Sequence, residues 1–142
     1  LNVREAVLQT SLGKNKKVLV VDDDLATRKI VELFLRGEIE IESASNSKDA
    51  TDLISNDVYS LVLMDISLGQ GISGVDLLNN LRTLPAYKNV PVIAVTAHAM
   101  VGDKEKFLSS GFDDYLSKPF AKKDLVNKVR SWVSNNNSIQ KH

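Results

Sequence analysis

Residues 17–24 read Lys-Val-Leu-Val-Val-Asp-Asp-Asp, an apolar run that ends in three consecutive acids. A short, valine-rich run of this kind is typical of a strand that is buried on both faces of a parallel sheet. In an open parallel sheet the carboxyl ends of the strands share one edge, and ligands bind at that edge. This stretch therefore predicts both the class of the fold and the place of its site.

Three more apolar runs end in polar residues that could bind a ligand or take part in catalysis. They are 61–64 before Asp65, 92–95 before Thr96, and 115–117 before Lys118 and Pro119. Because the predicted strands end at the same edge, we expect these groups to converge with the first acids. The result would be one small acidic pocket with a cation and a hydroxyl, suited to a divalent metal and a phosphoryl group.

Strand and helix patterns alternate five times along the chain. The predicted strands are 17–21, 40–44, 60–64, 91–95 and 114–116, and the predicted helices are 26–35, 47–55, 75–84, 102–110 and 122–133. This alternation predicts an α/β fold with a doubly wound parallel sheet between two layers of helices. In the first helix, Ile30, Val31, Phe34 and Leu35 are spaced to form one buried face.

Composition indicates one ordinary globular domain. The chain has 142 residues, and 18 basic residues balance 18 acidic ones, so bulk charge gives no reason to expect nucleic-acid binding. There is no cysteine and no apolar stretch near the ~18 residues that span a bilayer, which favours a cytoplasmic setting. We predict a linker or the tail of a preceding segment at 1–15, the domain at 16–134 and a flexible tail at 135–142. Because Leu1 is not methionine, we expect a piece of a longer protein.

Asp22, Asp23 and Asp65 would repel one another if they converged without a cation. An all-carboxylate cluster without histidine or cysteine favours Mg²⁺, with Mn²⁺ as an alternative ion. Asp24, the third acid of the first cluster, is better placed to cap the following helix.

Asp65 is the candidate nucleophile, a carboxylate that would accept a phosphoryl group as an acyl phosphate. Such a transfer depends mainly on positioning and on neutralising charge. Lys118 would neutralise negative charge from one side and Mg²⁺ from the other. The Thr96 hydroxyl and the Ala97 N–H would donate hydrogen bonds to phosphoryl oxygens. Pro119 allows a cis peptide bond directly after the lysine.

Together these motifs resemble the receiver domain of response regulators in two-component signalling. The resemblance covers about 16–133 and rests on four segments in the family's order, 20–24, 63–66, 95–97 and 117–120. It implies a flavodoxin-like (βα)5 fold with strand order 2-1-3-4-5. It also implies that Asp65 is the phosphoacceptor, that Asp23 binds Mg²⁺ directly and Asp22 largely through water, and that the Ser67 carbonyl is a third protein ligand.

The resemblance also implies a switch. Thr96 and Lys118 would contact the phosphoryl group, and the ring of Tyr115 would turn inward as Thr96 moves toward the phosphate. The change would reach the face formed by the fourth helix, fifth strand and fifth helix, through which a homodimer could also form. Such a domain catalyses its own phosphorylation and dephosphorylation but is not a conventional enzyme.

The segments 96–100 and 111–116 most resemble receivers of hybrid sensor histidine kinases, although some stand-alone receivers share them. The implied partner is a histidine kinase or a phosphotransfer histidine domain. The parent chain would be a histidine kinase, either anchored in a membrane or not.

The loop 68–73 departs from the family pattern, because Gly69 replaces a proline and Gly74 comes one residue later than the family's glycine. Ser67 is small, so we expect water to reach Asp65 and hydrolysis at an ordinary rate.

Two other functions fit parts of the sequence. The pattern Asp22-x-Asp24 after a strand is similar to the nucleophile motif of haloacid-dehalogenase-like phosphatases, but that reading leaves Asp65 unexplained. A domain that binds partners without phosphorylation is the other alternative, and the intact set of acids, threonine and lysine argues against it.

Overall fold

The computed structural model describes residues 16–66, 73–97 and 102–140, and it describes side chains as far as Ser134. The strands are β1 (Lys17–Val21), β2 (Glu40–Ala44), β3 (Leu61–Met64), β4 (Val92–Thr96) and β5 (Asp114–Ser117). The helices are α1 (Leu25–Phe34), α2 (Ser47–Asn56), α3 (Gly74–Arg82), α4 (Asp103–Ser109) and α5 (Lys122–Gln140), with a 3₁₀ helix at Pro85–Tyr87. Ser67, most of the loop 68–73, residues 98–101 and the predicted linker 1–15 lie outside the described residues.

The five strands form one parallel sheet in the order β2-β1-β3-β4-β5. This confirms the predicted doubly wound fold and its strand order. The central strands β1, β3 and β4 are almost completely buried, as their continuous apolar runs predict. Each is covered on both faces, so the sheet divides the apolar core into two layers.

One layer packs β1, β3 and β4 against α2, α3 and α4, and its helix side chains include Ile54, Leu77, Leu81 and Phe107. The other layer packs the sheet against α1 and α5 through Val31, Leu35, Leu125 and Val129. Helices therefore lie on both faces of the sheet. With every strand parallel, all five carboxyl ends meet at one edge, as the sequence predicts.

Three details differ from the predictions. Ile30 is 41% exposed rather than part of the buried face, which is formed by Val31, Leu35 and the partly buried Phe34. The third helix ends at Arg82 rather than at residue 84, and Pro85 begins a 3₁₀ helix. Helix α5 continues to Gln140, beyond the predicted end of this helix at residue 133, while the predicted flexibility of 135–142 stays a prediction. No glycine or proline follows Pro119 to break that helix.

The remaining predicted elements agree with the structure to within a residue or two at each end. Asp24 caps α1 by accepting the Ala26 N–H, as predicted, and Asn46 caps α2 by accepting the Asp49 N–H. The peptide bond between Lys118 and Pro119 is cis. No helix among the described residues is both long and apolar enough to cross a membrane.

Candidate functional site

The acids predicted to converge do so at the carboxyl edge of the sheet. One carboxylate oxygen from each of Asp22, Asp23 and Asp65 lies within 4.8 Å of the others. Asp22 directly follows β1 and Asp65 directly follows β3, and the backbone N–H of Asp65 donates to the Val21 carbonyl, 2.9 Å away. This bond extends the pairing of the two strands by one residue. The sheet register therefore places both acids side by side.

The three acids differ in exposure. Asp22 is 1% exposed and Asp65 is 8% exposed, whereas Asp23 is open to solvent. Buried carboxylates are rare unless they are paired or hydrogen-bonded. The arrangement thus places one exposed acid beside two buried acids.

Lys118 supplies the cation. Its ammonium is 2.7 Å from Asp22 Oδ2 and 3.6 Å from Asp65 Oδ2. Burial acts to lower the pKa of Lys118, but the hydrogen bond and charge of Asp22, with the charges of Asp65 and Asp24, outweigh it and raise the pKa above its ordinary value. The lysine is therefore charged at neutral pH and balances part of the negative charge of the cluster.

Thr96 is brought to the same edge by the pairing of β4 with β5. Its side chain is buried, and its carbonyl accepts the Lys118 N–H at 2.9 Å, which joins the ends of the two strands. Ala97 follows and is exposed, and it lines a cavity of about 350 Å³ together with Lys118. The predicted threonine, alanine N–H and lysine therefore lie on neighbouring strand ends.

Tyr115 is half-buried on β5. Its ring centroid is 5.9 Å from that of Phe107 in α4, and the Lys128 ammonium of α5 lies 5.8 Å from the centre of the ring. The ring thus joins α4, β5 and α5. The switch role of Tyr115 stays a prediction.

Sequence reasoning missed three residues around the site. Arg28 on α1 donates to the Asp22 carbonyl, Thr27 donates its hydroxyl to Asp24, and Gly74 lies against the backbone of Asp65. A Cβ at position 74 would lie 2.4 Å from the Asp65 carbonyl oxygen, which is closer than real Cβ contacts allow. The position of this glycine was visible in the sequence, but the contact depends on how α3 meets β3.

Asp114 is a second feature that the sequence did not reveal. Its Oδ2 accepts from Trp132 Nε1 at 2.8 Å and from Lys128 Nζ at 3.0 Å, and its Oδ1 accepts the Tyr115 N–H. Asp114 begins β5, as the predicted strand 114–116 requires, but its bonds to the side chains of α5 depend on tertiary packing.

Comparison with known proteins agrees with this geometry. The family model described as the response regulator receiver domain matches residues 18–130. This chain belongs to the receiver domain family. The fold and the cluster of acids beside a lysine are therefore those of a receiver in two-component signalling, as the sequence predicted.

Two curated relatives of this receiver come from different contexts. An uncharacterised 14.6 kDa protein in the sodA1 3′ region of Leptolyngbya boryana is 35% identical over 116 residues, which cover 81% of this chain and 88% of that protein. The hybrid signal transduction histidine kinase I of Dictyostelium discoideum is 38% identical over 127 residues, which cover 83% of this chain but 7% of the kinase. The receiver therefore matches both a small protein and a short part of a large one.

A solved structure gives a direct comparison. The receiver domain of sensor histidine kinase PA1611 from Pseudomonas aeruginosa has a TM-score of 0.76 and 28% sequence identity, and the match covers 85% of this chain and 99% of that one. That structure has a magnesium ion coordinated in its active-site cleft. The family match leaves the phosphatase alternative without support, and Asp24 is engaged as the cap of α1.

Proposed function

We propose that this receiver accepts a phosphoryl group from a phosphohistidine onto the carboxylate of Asp65. The observation that carries the proposal is the position of Asp65, buried at the end of the central strand β3 with a lysine 3.6 Å away and two more acids beside it. A buried acid with a cation on one side and room for a metal on the other is suited to accept a charged group.

The acids fit Mg²⁺ as the required ion. Three carboxylates whose oxygens lie within 4.8 Å offer the hard oxygen ligands that Mg²⁺ prefers, and the cluster contains no nitrogen or sulfur ligand. We assign Asp23 as a direct ligand, Asp22 as a ligand largely through water, and the Ser67 carbonyl as a third protein ligand. When bound, the ion would neutralise negative charge on the carboxylates and on the phosphoryl oxygens.

The transfer step uses residues of this chain. A carboxylate oxygen of Asp65 attacks phosphorus, the bond between phosphorus and the histidine nitrogen breaks, and the imidazole leaves with the electron pair. Lys118 neutralises phosphoryl charge, while the Thr96 hydroxyl and the Ala97 N–H donate hydrogen bonds. The contact between Lys118 and Asp22 would loosen as the lysine turns to the phosphoryl group.

The phosphoryl group would then act through Thr96 and Tyr115. Thr96 ends β4, its carbonyl is bonded to the Lys118 N–H, and Tyr115 lies on the adjacent strand β5. A movement of Thr96 toward the phosphoryl group would open space for the Tyr115 ring. Since that ring contacts Phe107 of α4 and lies under Lys128 of α5, its movement would alter the α4-β5-α5 face.

The donor protein would approach across α1. Leu25 and Leu33 are 56% and 54% exposed, and Ile30 lines the cavity that opens between α1 and the loop after β5. Exposed apolar side chains beside a reactive site mark a surface for a protein partner. We propose a phosphotransfer histidine domain or a histidine kinase as that partner, and a hybrid histidine kinase as the parent chain, with a stand-alone regulator as the alternative.

Labelling with acetyl phosphate and Mg²⁺ tests the proposal, with mass spectrometry to map the modified residue. We expect one phosphoryl group on Asp65, no label in D65N, and ordinary labelling in the matched control D52N, which changes an exposed aspartate of α2. Label on Asp22 would support a phosphatase-like nucleophile instead. No labelling of the folded wild type would favour a binding domain that works without phosphorylation.

A further inference from the structure

The turn between β1 and α1 is held by Arg28, which the transfer step does not use. The pairing of β1 with β2 ends at Val21 and Ala44, and the Asp22 N–H makes one more bond to the Ala44 carbonyl. The carbonyl of Asp22 lies beyond the last hydrogen bond between β1 and β2. Arg28 Nη1 donates to it at 2.7 Å, so a side chain from the first turns of α1 replaces the missing strand donor.

Each of the three oxygens of Asp22 accepts a hydrogen bond. The carbonyl accepts from Arg28, Oδ1 accepts the Asp24 N–H at 2.9 Å, and Oδ2 accepts from Lys118 at 2.7 Å. The carbonyl belongs to the peptide that joins Asp22 to Asp23. The direction of that peptide therefore determines where both acids of the pair point.

The contact of Arg28 is with a backbone oxygen. Within the described part of the chain its guanidinium makes no ion pair within 4.0 Å, so its direct effect on the acids is through the peptide. A hydrogen bond from a charged donor is stronger than one between neutral groups, and Arg28 is half-buried, which limits competition from water. The arrangement is that of an outer residue that orients metal ligands.

We infer that Arg28 is a positioning residue for the divalent cation. By holding the Asp22 carbonyl, it fixes the peptide between Asp22 and Asp23 and so places both carboxylates for the ion. This inference rests on the proposed Mg²⁺ site. It makes the affinity for Mg²⁺ depend in part on a residue of α1. The donor protein is proposed to approach across the same helix.

Magnesium affinity of the unphosphorylated protein tests the inference, measured by calorimetry with Mg²⁺ alone. We expect R28M to bind Mg²⁺ about tenfold more weakly, the usual cost of losing a group that orients a metal ligand. K29M is the matched control, because Lys29 is the next residue of α1 and is exposed with the same charge. Its affinity should stay within about twofold of wild type, since a remote surface charge is screened.

A pure charge effect has the opposite sign. Removing a positive charge near three acids strengthens the attraction for Mg²⁺, so equal or tighter binding by folded R28M overturns the inference. If R28M does not fold in urea titrations, R28Q replaces it, because glutamine removes the charge and shortens the side chain. Weaker binding by folded R28Q then supports the inference, and equal or tighter binding overturns it.

The wild type separates this inference from the proposed function. If wild-type protein does not bind Mg²⁺, the proposed metal site itself fails, and with it the role of Arg28. If the wild type binds Mg²⁺ and is labelled on Asp65 while R28M binds equally well, the inference on Arg28 alone fails.

Discussion

The Lys118 ammonium is closer to Asp22 than to Asp65, at 2.7 Å against 3.6 Å. The lysine is therefore hydrogen-bonded to Asp22 and makes only a longer ion pair with the candidate acceptor Asp65. Because Asp22 is almost completely buried, this ion pair neutralises a charge that water reaches poorly. A divalent cation at the cluster would compete with Lys118 for Asp22, and displacement would free the lysine for a phosphoryl group.

Replacing Lys118 separates its ion pair with Asp22 from its proposed contact with the phosphoryl group. We expect K118M to bind Mg²⁺ roughly three- to fivefold more tightly, the equivalent of losing about 0.7–1 kcal/mol of competing ion pair. Acetyl-phosphate labelling of Asp65 should slow by roughly 100-fold, because a positioned charge that stabilises the transition state is gone. Calorimetry and timed labelling measure the two effects, and K122M, at an exposed lysine, is the control. Weaker Mg²⁺ binding by K118M would contradict the competition.

Asp23 should destabilise the protein when no metal is present. It is the exposed member of three carboxylates that repel one another, so D23N should raise the free energy of unfolding by about 0.5–1 kcal/mol without Mg²⁺. Adding Mg²⁺ should stabilise the wild type but not D23N, because the variant lacks a ligand. Urea titrations with and without Mg²⁺ measure both effects, beside D52N. A destabilised D23N in metal-free buffer would show that other interactions of Asp23 outweigh the repulsion.

Gly74 is required for the close approach of α3 to the acceptor strand. In most helices alanine is more stable than glycine by about 1 kcal/mol, so G74A would ordinarily stabilise the protein. Here the new methyl group would lie 2.4 Å from the Asp65 carbonyl oxygen and 2.8 Å from Ile66 Cα. We therefore expect G74A to lose about 2 kcal/mol or more in urea unfolding. A variant as stable as wild type would mean that α3 moves away easily.

Asp114 should contribute stability that depends on pH. Burial acts to raise its pKa, but hydrogen bonds from Trp132, the Tyr115 N–H and Lys128 outweigh it, and the pKa lies below its ordinary value of 3.8. A lowered pKa in the folded state means that the contribution is full above 3.8 and is lost as pH falls through the folded pKa. The stability difference between wild type and D114N should therefore be larger at neutral pH than in acid.

Paired urea titrations at neutral and acid pH measure that difference. Trp132 is the single tryptophan of the chain, so its emission reports directly on the loss of the bond to Asp114. D103N, which changes the first residue of α4, is the control for a general loss of negative charge. A wild-type advantage that does not change with pH would show that Asp114 contributes without titrating.

Much of the site could be predicted from sequence because it lies at strand ends. An apolar run that stops at a polar residue marks a strand and its end, and parallel pairing brings those ends together. Asp22, Asp65, Thr96 and Lys118 were found in this way, and the structure places them at one edge. The cap at Asp24 was equally visible, since a local turn decides it.

Contacts made between layers could not be predicted in the same way. Arg28 reaches the Asp22 carbonyl because α1 turns back over the end of β1, and Trp132 reaches Asp114 because α5 packs along β5. Ile30 fits an apolar stripe by spacing, yet its side chain is 41% exposed and lines a cavity beside the site. Helix orientation depends on the packing of many side chains together, which no short segment records.

By itself, the sequence determined the order of strands and helices, the sheet edge that carries the site and the residues with the right chemistry. These properties follow from local patterns and from the regular geometry of parallel strands. Only the tertiary structure decided that Lys118 lies closer to Asp22 than to Asp65, that Gly74 lies against the backbone of Asp65, and that Arg28 donates to the Asp22 carbonyl. Distances of a few ångströms between separate layers depend on how the whole core packs.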